Sequence, residues 1–252
     1  MSKLEKFYVF CIMLAFISFI IYLYGYFDRE FIRVSSNMIF PVYALVPVFS
    51  AYFATRKYGL GSILGYAMFA FFIGLLSWFV GELVWAIYVL VYSIEIPFPS
   101  IADIFYLLGY PLIYFGLVSY LKVFKNAFNK KVISISSISG LIVVIVTIIF
   151  VIPEALFSSS NLIEGAISTI YPMFDAILIV LAIMGALIFG GGRIQSSWIL
   201  LSIGLMLIGI VDLLYYYQIL VGGIWEGHPL ELIYLWAYLH LAVAFYNHTK
   251  KI

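Results

Sequence analysis

The sequence predicts an all-α polytopic membrane protein of about eight transmembrane helices, built as two parallel four-helix repeats with both termini cytoplasmic. Three observations predict it: an apolar composition, apolar windows of membrane length, and basic residues gathered on one side of those windows. Of 252 residues, 65% are hydrophobic and 10% charged, with a mean hydropathy of +1.15. That balance excludes an ordinary soluble domain. The chain reads as a single membrane domain over 1–252, with one repeat at about 1–125 and the other at about 126–252.

Lys3 and Lys6 precede the first apolar stretch, and no small-residue cleavage site follows before Phe27-Asp28-Arg29, so this stretch is a retained helix and not a leader. Crossing about 30 Å of hydrocarbon takes roughly 20 apolar residues. Windows of that kind fall near 8–27, 38–55, 62–93, 103–121, 132–152, 166–190, 196–221 and 231–247. The third is long enough to tilt or project from the bilayer.

Starting inside, this count places Lys3, Lys6, Arg56, Lys57, Lys122, Lys125, Lys130, Lys131, Arg193, Lys250 and Lys251 on the cytoplasmic side. Only Arg29 and Arg33 fall outside, as the rule that lysine and arginine stay inside requires. Asp28, Glu30, Glu95, Glu154, Glu164 and Glu226 fall in the outer loops. The expected location is the cell membrane.

Three pairs of segments keep nearly one offset. Asp103-Ile-Phe-Tyr106-Leu-Leu-Gly-Tyr110 is matched by Glu231-Leu-Ile-Tyr234-Leu-Trp-Ala-Tyr238, 128 positions on. Ile39-Phe40-Pro41-Val42-Tyr43 matches Ile170-Tyr171-Pro172-Met173-Phe174, and Glu82-Leu-Val-Trp85 matches Asp212-Leu-Leu-Tyr215. Four helices per unit makes such repeats parallel, an arrangement that places sites at the repeat interface.

Five acids, Glu82, Asp103, Asp175, Asp212 and Glu231, lie in or at the edge of the hydrocarbon with no lysine or arginine among them. Intramembrane acids are costly unless protonated, hydrogen-bonded or ion-bound, and so mark function. At about 100° per residue, Asp103, Tyr106 and Tyr110 share one stripe, as do Glu231, Tyr234 and Tyr238. Trp78, Glu82 and Trp85 share a face, Ile208, Asp212 and Tyr215 share the equivalent face, and Tyr171 and Asp175 stack one turn apart. All five acids occupy the outer half. Pro41, Pro47, Pro111 and Pro172 inside helices each free a backbone carbonyl, and the features together predict a cavity opening outward between kinked helices.

Other residues carry less. A lone Cys11 excludes an internal disulfide framework and reads as a small buried residue. His240 lies about 180° from Glu231 and outside that stripe, and His248 is expected at the interface. His228 with Glu226 supplies two metal ligands without a third, so no metal is expected, and no cofactor is named by any motif. Gly190, Gly191 and Gly192 form a turn and not a phosphate loop. Partners are the bilayer and a small-molecule or lipid ligand; nothing points to nucleic acid.

Gly81-Glu82-Leu-Val-Trp85, Pro97-Phe98-Pro99-Ser100-Ile-Ala102-Asp103-Ile-Phe-Tyr106-Leu-Leu-Gly-Tyr110-Pro111 and Tyr171-Pro172-Met-Phe-Asp175 resemble the multi-helix N-terminal membrane region of bacterial and archaeal diguanylate cyclases and histidine kinases. That resemblance implies a sensory input module. With no cytosolic output domain in this sequence, it also implies a separate cytosolic output protein as partner. Gly81-Glu82 and Ile210-Val211-Asp212, with a Tyr-rich last helix, are more loosely similar to the lysoplasmalogenase family of membrane ether-lipid hydrolases. This second resemblance implies Glu82 and Asp212 as catalytic acids, Glu82 standing where an aspartate is expected. The leading expectation is a sensory or ligand-binding module whose site is lined by Glu82, Trp85, Asp103, Tyr106, Tyr110, Asp175, Asp212, Tyr215, Glu231, Tyr234 and Tyr238. A lipid hydrolase and a small-solute transporter are the alternatives.

Overall fold

The computed structural model describes residues 1–94, 96–124, 128–157, 159–189, 195–220 and 222–251. Glu95, Lys125, Arg193 and the glycines at 190–192, all used above, lie outside them. The helices are α1 (Lys3–Gly25), α2 (Arg29–Tyr58), α3 (Ile63–Leu90), α4 (Ile101–Val123), α5 (Lys130–Val146), α6 (Ile152–Phe157), α7 (Leu162–Ile188), α8 (Gln195–Leu220) and α9 (Glu231–Lys251), with a π-helical segment, Thr147–Val151, joining α5 to α6.

Capping side chains set where the helices begin. Asp28, Ser62, Asn129 and Asn161 each accept from the first turn of the helix that follows, and Ser2 with Glu5 and Ser100 with Asp103 form capping boxes. Asp28 therefore starts α2 nine residues before the expected window at 38, because a cap and a helical first turn outweigh the polar run Arg29-Glu-Phe-Ile-Arg33. Glu30 and Glu164, expected in loops, sit in the first turns of α2 and α7.

Seven helices, α1 to α5, α7 and α8, are long and apolar enough to cross a membrane. The eighth expected span, α9, is not among them. It is the most enclosed instead: Leu235, Ala237, Leu241, Ala242 and Ala244 have no exposed surface, and α9 packs on α2, α8 and α1. Protein rather than lipid surrounds it, so it tolerates more polar residues.

Contacts fix the ends. Phe7 stacks on Tyr246 at 4.2 Å, Asn247 donates to the Tyr8 hydroxyl at 2.8 Å, and Lys57 donates to the Thr249 carbonyl at 3.0 Å. Tyr22, near the other end of α1, donates to Glu231 at the start of α9. Both ends of the chain thus lie on one face of the bundle, the terminal face, and the caps of α2, α4 and α9 lie on the opposite, distal face.

The two halves pack alike. A methyl placed on Gly74 would come 3.1 Å from the Gly109 carbonyl oxygen and 2.8 Å from Ile113; one on Gly204 would come 3.1 Å from the Ala237 carbonyl oxygen and 2.7 Å from Leu241. Gly109 and Ala237, like Ile113 and Leu241, are 128 positions apart. Absence of a side chain lets α3 approach α4, and α8 approach α9, to backbone contact. Between the halves, Phe71, Leu75, Ile113, Leu201, Leu205, Leu241 and Phe245 meet with no water-sized space among them.

Candidate functional site

Toward the distal face the same helices carry acids in place of leucines. Asp103 is the third residue of α4, where its Oδ2 accepts from the Ser100 amide at 2.6 Å and the Ser100 hydroxyl at 3.0 Å. Its Oδ1 accepts from Tyr171 of α7 at 2.7 Å. Glu231, first in α9, accepts from Tyr22 at 2.8 Å and from the Gly227 amide at 2.8 Å. Both edge acids are therefore spent on holding helix starts in place.

Deeper in, Tyr110 of α4 donates to Asp175 of α7 at 2.6 Å and lies 3.3 Å from Asp212 of α8. Tyr234 donates to Asp212 at 2.5 Å and Tyr238 to Glu82 at 2.9 Å, both reaching out from α9. The Tyr106 ring packs against Gly81, next to Glu82 in the chain. Asp175 and Asp212 therefore converge on one hydroxyl, that of Tyr110. No lysine or arginine ion pair reaches any of the five acids among the described residues. Tyrosine hydroxyls do what cations do elsewhere, supplying donors without adding charge.

The expected residues are thus brought together, with different partners. Tyr171 serves Asp103 and not Asp175, its neighbour one turn on, because its hydroxyl extends away from its own helix. Tyr215 approaches only the ring of Tyr234, at 6.2 Å. Trp85 is half-buried and makes no hydrogen bond to the network, whereas Trp78, one turn below Glu82, braces it: its indole donates to the Tyr106 carbonyl at 3.1 Å and its ring meets Tyr110 edge-on at 5.4 Å. Tyr22 and Tyr114, the latter donating to the Phe174 carbonyl, were absent from the expected set. Tyr114 follows Tyr110 by one turn and was legible on that ground. Nothing local marks Tyr22.

Exposure separates the acids. Asp175 is 1% exposed, Asp103 7% and Glu231 8%, whereas Glu82 and Asp212 keep intermediate exposure. Only these last two residues keep more than a tenth or so of their surface.

The outward cavity differs from expectation. A cavity of about 940 Å³ opens at the distal face, but Arg29, Glu30, Arg33, Ser93, Ile94, Ile224, Trp225 and Glu226 line it, and none of the five acids does. Loop 222–230 separates them, pinned by the Glu231 bond to Gly227. Pro41, Pro47 and Pro172 are buried inside unbroken helices, and Pro111 faces outward. His248, expected at the interface, is fully buried at the terminal end with both ring nitrogens unpartnered, because α9 is enclosed to its last turn. His240 bonds back to the Trp236 carbonyl of its own helix. No group of three or more histidine, cysteine or acidic side chains stands ready for a metal ion among the described residues.

Compared with protein-family models, curated proteins and solved structures, the chain matches none.

Proposed function

We propose that this chain is a multi-pass cell-membrane protein, with both termini cytoplasmic and two four-helix repeats, that works as a sensory or ligand-binding module. Its site lies in the distal half, at Glu82 and Asp212, with Tyr110, Tyr234 and Tyr238 as the surrounding donors and Tyr106 beside them. The observation that carries this reading is the pairing of every intramembrane acid with a tyrosine hydroxyl and none with a cation. A purely structural network gains most by burying all its members, and the residues Glu82 and Asp212 are only partly buried. Equivalent packing at Gly74 and Gly204 supports the repeat, and with it the placement of the site between halves.

One feature favours a second reading, a lipid hydrolase using Glu82 and Asp212 on water. Asp175 and Asp212 both lie within reach of the Tyr110 hydroxyl, at 2.6 and 3.3 Å, and a close pair of carboxyl groups is what acid–base chemistry needs. The transporter reading draws only on the repeat.

One experiment separates binding from hydrolysis. A mixed lipid pool incubated with purified protein is analysed by mass spectrometry, and small molecules are screened for thermal stabilisation of the same sample. Release of a head group or aldehyde by the native chain, lost about 100-fold in Asp212→Asn, would replace the binding module by the enzyme. No turnover, with a stabilising compound whose effect vanishes in Glu82→Gln and Asp212→Asn, is the expected result.

A further inference from the structure

The distal cavity is built for a different chemistry from the acid network. Two opposed pairs of charge line it, yet they are not equally spent. Arg33 takes both oxygens of Glu30, at 2.9 and 2.8 Å, and lies 3.9 Å from Glu226. Arg33 thus faces both acids in the wall. Among the described residues Arg29 makes no hydrogen bond and no ion pair; its guanidinium lies over the Trp225 ring, 3.9 Å from the centroid. Stacking on an aromatic face fixes the guanidinium plane while leaving its N–H fork open at the edge.

Two further features belong to the same wall. The Trp225 ring gives the stacked Arg29 a fixed support. Ser93 holds φ at +53°, in the left-handed region that a residue with a Cβ rarely adopts, and strain of this kind gathers where a ligand is met. Both residues line the cavity, together with the apolar Ile94 and Ile224. A volume of about 940 Å³ is that of a small-molecule pocket, roughly 300–1,000 Å³.

We propose that this cavity is a binding site for an oxyanion on an amphiphile, a phosphate or carboxylate head held by the open fork of Arg29, and its alkyl portion against Ile94 and Ile224. A guanidinium without a carboxylate selects a planar or tetrahedral oxyanion through paired N–H bonds. Glu30 and Glu226, already engaged, exclude a second negative charge from the far wall. The site is independent of the acid network, and neither needs the other to be occupied.

Calorimetric titration of the purified full chain in neutral detergent tests it, with hexyl phosphate and inorganic phosphate as probes. Hexyl phosphate should bind saturably, more weakly by about tenfold or more in Arg29→Gln and unchanged in Arg56→Gln on the terminal face. Arg29→Lys, which keeps charge without the fork, should fall between. Arg29 is exposed, so these variants are expected to fold, and equal unfolding temperatures would establish it. Inorganic phosphate binding as tightly as hexyl phosphate would assign the site to a free anion; binding of hexyl phosphate alone would assign it to a lipid-like molecule. Equal affinity in Arg29→Gln and the native chain, or no saturable binding of either probe, would overturn the proposal.

Discussion

Tyr110 donates its hydroxyl to Asp175 across the boundary between the two halves of the chain, at 2.6 Å. A bond made 65 residues away in sequence joins α4 to α7 where few other contacts do. The candidate site and the joint between the halves are therefore the same set of atoms.

Removing that hydroxyl tests the coupling. Tyr110→Phe leaves Asp175 buried without its donor, and the loss should be about 1–3 kcal/mol of unfolding free energy. Combined with Asp175→Asn in a double-mutant cycle, the two changes should be non-additive by about 1 kcal/mol or more. Strictly additive effects on thermal unfolding in detergent would mean that the hydroxyl and the carboxyl do not act on each other.

Glycine positions give a packing test with an internal control. A methyl on Gly109 would fall 2.3 Å from the Trp78 ring, which the Tyr106 carbonyl holds in place, whereas Gly61 faces open space. Gly109→Ala should cost about 1–3 kcal/mol through overpacking, and Gly61→Ala should change the unfolding temperature little. A neutral Gly109→Ala would mean that α3 and α4 lie further apart than described.

Topology is open to reporter fusions. Those after Lys57, Lys131, Arg193 and Lys251 should report cytoplasm, and those near Glu30, Pro97, Ser159 and Gly227 the outside, as the basic residues require. One reversed internal fusion would remove a span and the repeat with it.

His228 gives a pH dependence of known sign. Burial first, and then the nearby Arg29 charge, hold its imidazole below the usual histidine range. The folded chain takes up this proton less readily than the unfolded one, so the contribution to stability is complete above about pH 6.5 and is lost as pH falls toward the folded value. His228→Gln should lose less unfolding temperature than the native chain between pH 8 and pH 5. Because the ring is half exposed, the difference should stay within about 2 °C. A larger acid loss in the variant would reverse the sign.

Membrane class, the seven apolar spans and the stripes of acid and tyrosine were all legible in the sequence, because length and helical period act locally. Partner choice was not. Tyr171 and Asp175 are one turn apart, and a one-turn stack reads as a pair, but a tyrosine hydroxyl lies some 6.5 Å from its Cα and reaches a neighbouring helix more readily than its own. Tyr22 escaped notice for the same reason: its carboxylate is 209 positions away. The early start of α2 was hidden by charges that hydropathy counts against a span and that a cap at Asp28 makes compatible with a helix. His248 was misplaced because proximity to Lys250 suggests an interface, whereas enclosure depends on three other helices.

The enclosed position of α9 bears on how the bundle is made. It emerges from the ribosome after all seven of the more apolar helices, and it carries the tyrosines that Glu82 and Asp212 require. Until it arrives, the groove beside α2 and α8 stands open, Glu82 lacks the Tyr238 hydroxyl and Asp212 keeps only the longer bond from Tyr110. Insertion of α9 is then a closing step, drawn in by the protein already present more than by lipid. A chain halted before Glu231 would leave an incomplete assembly with under-satisfied acids in the membrane, the kind of surface that quality-control proteases and insertion chaperones meet first.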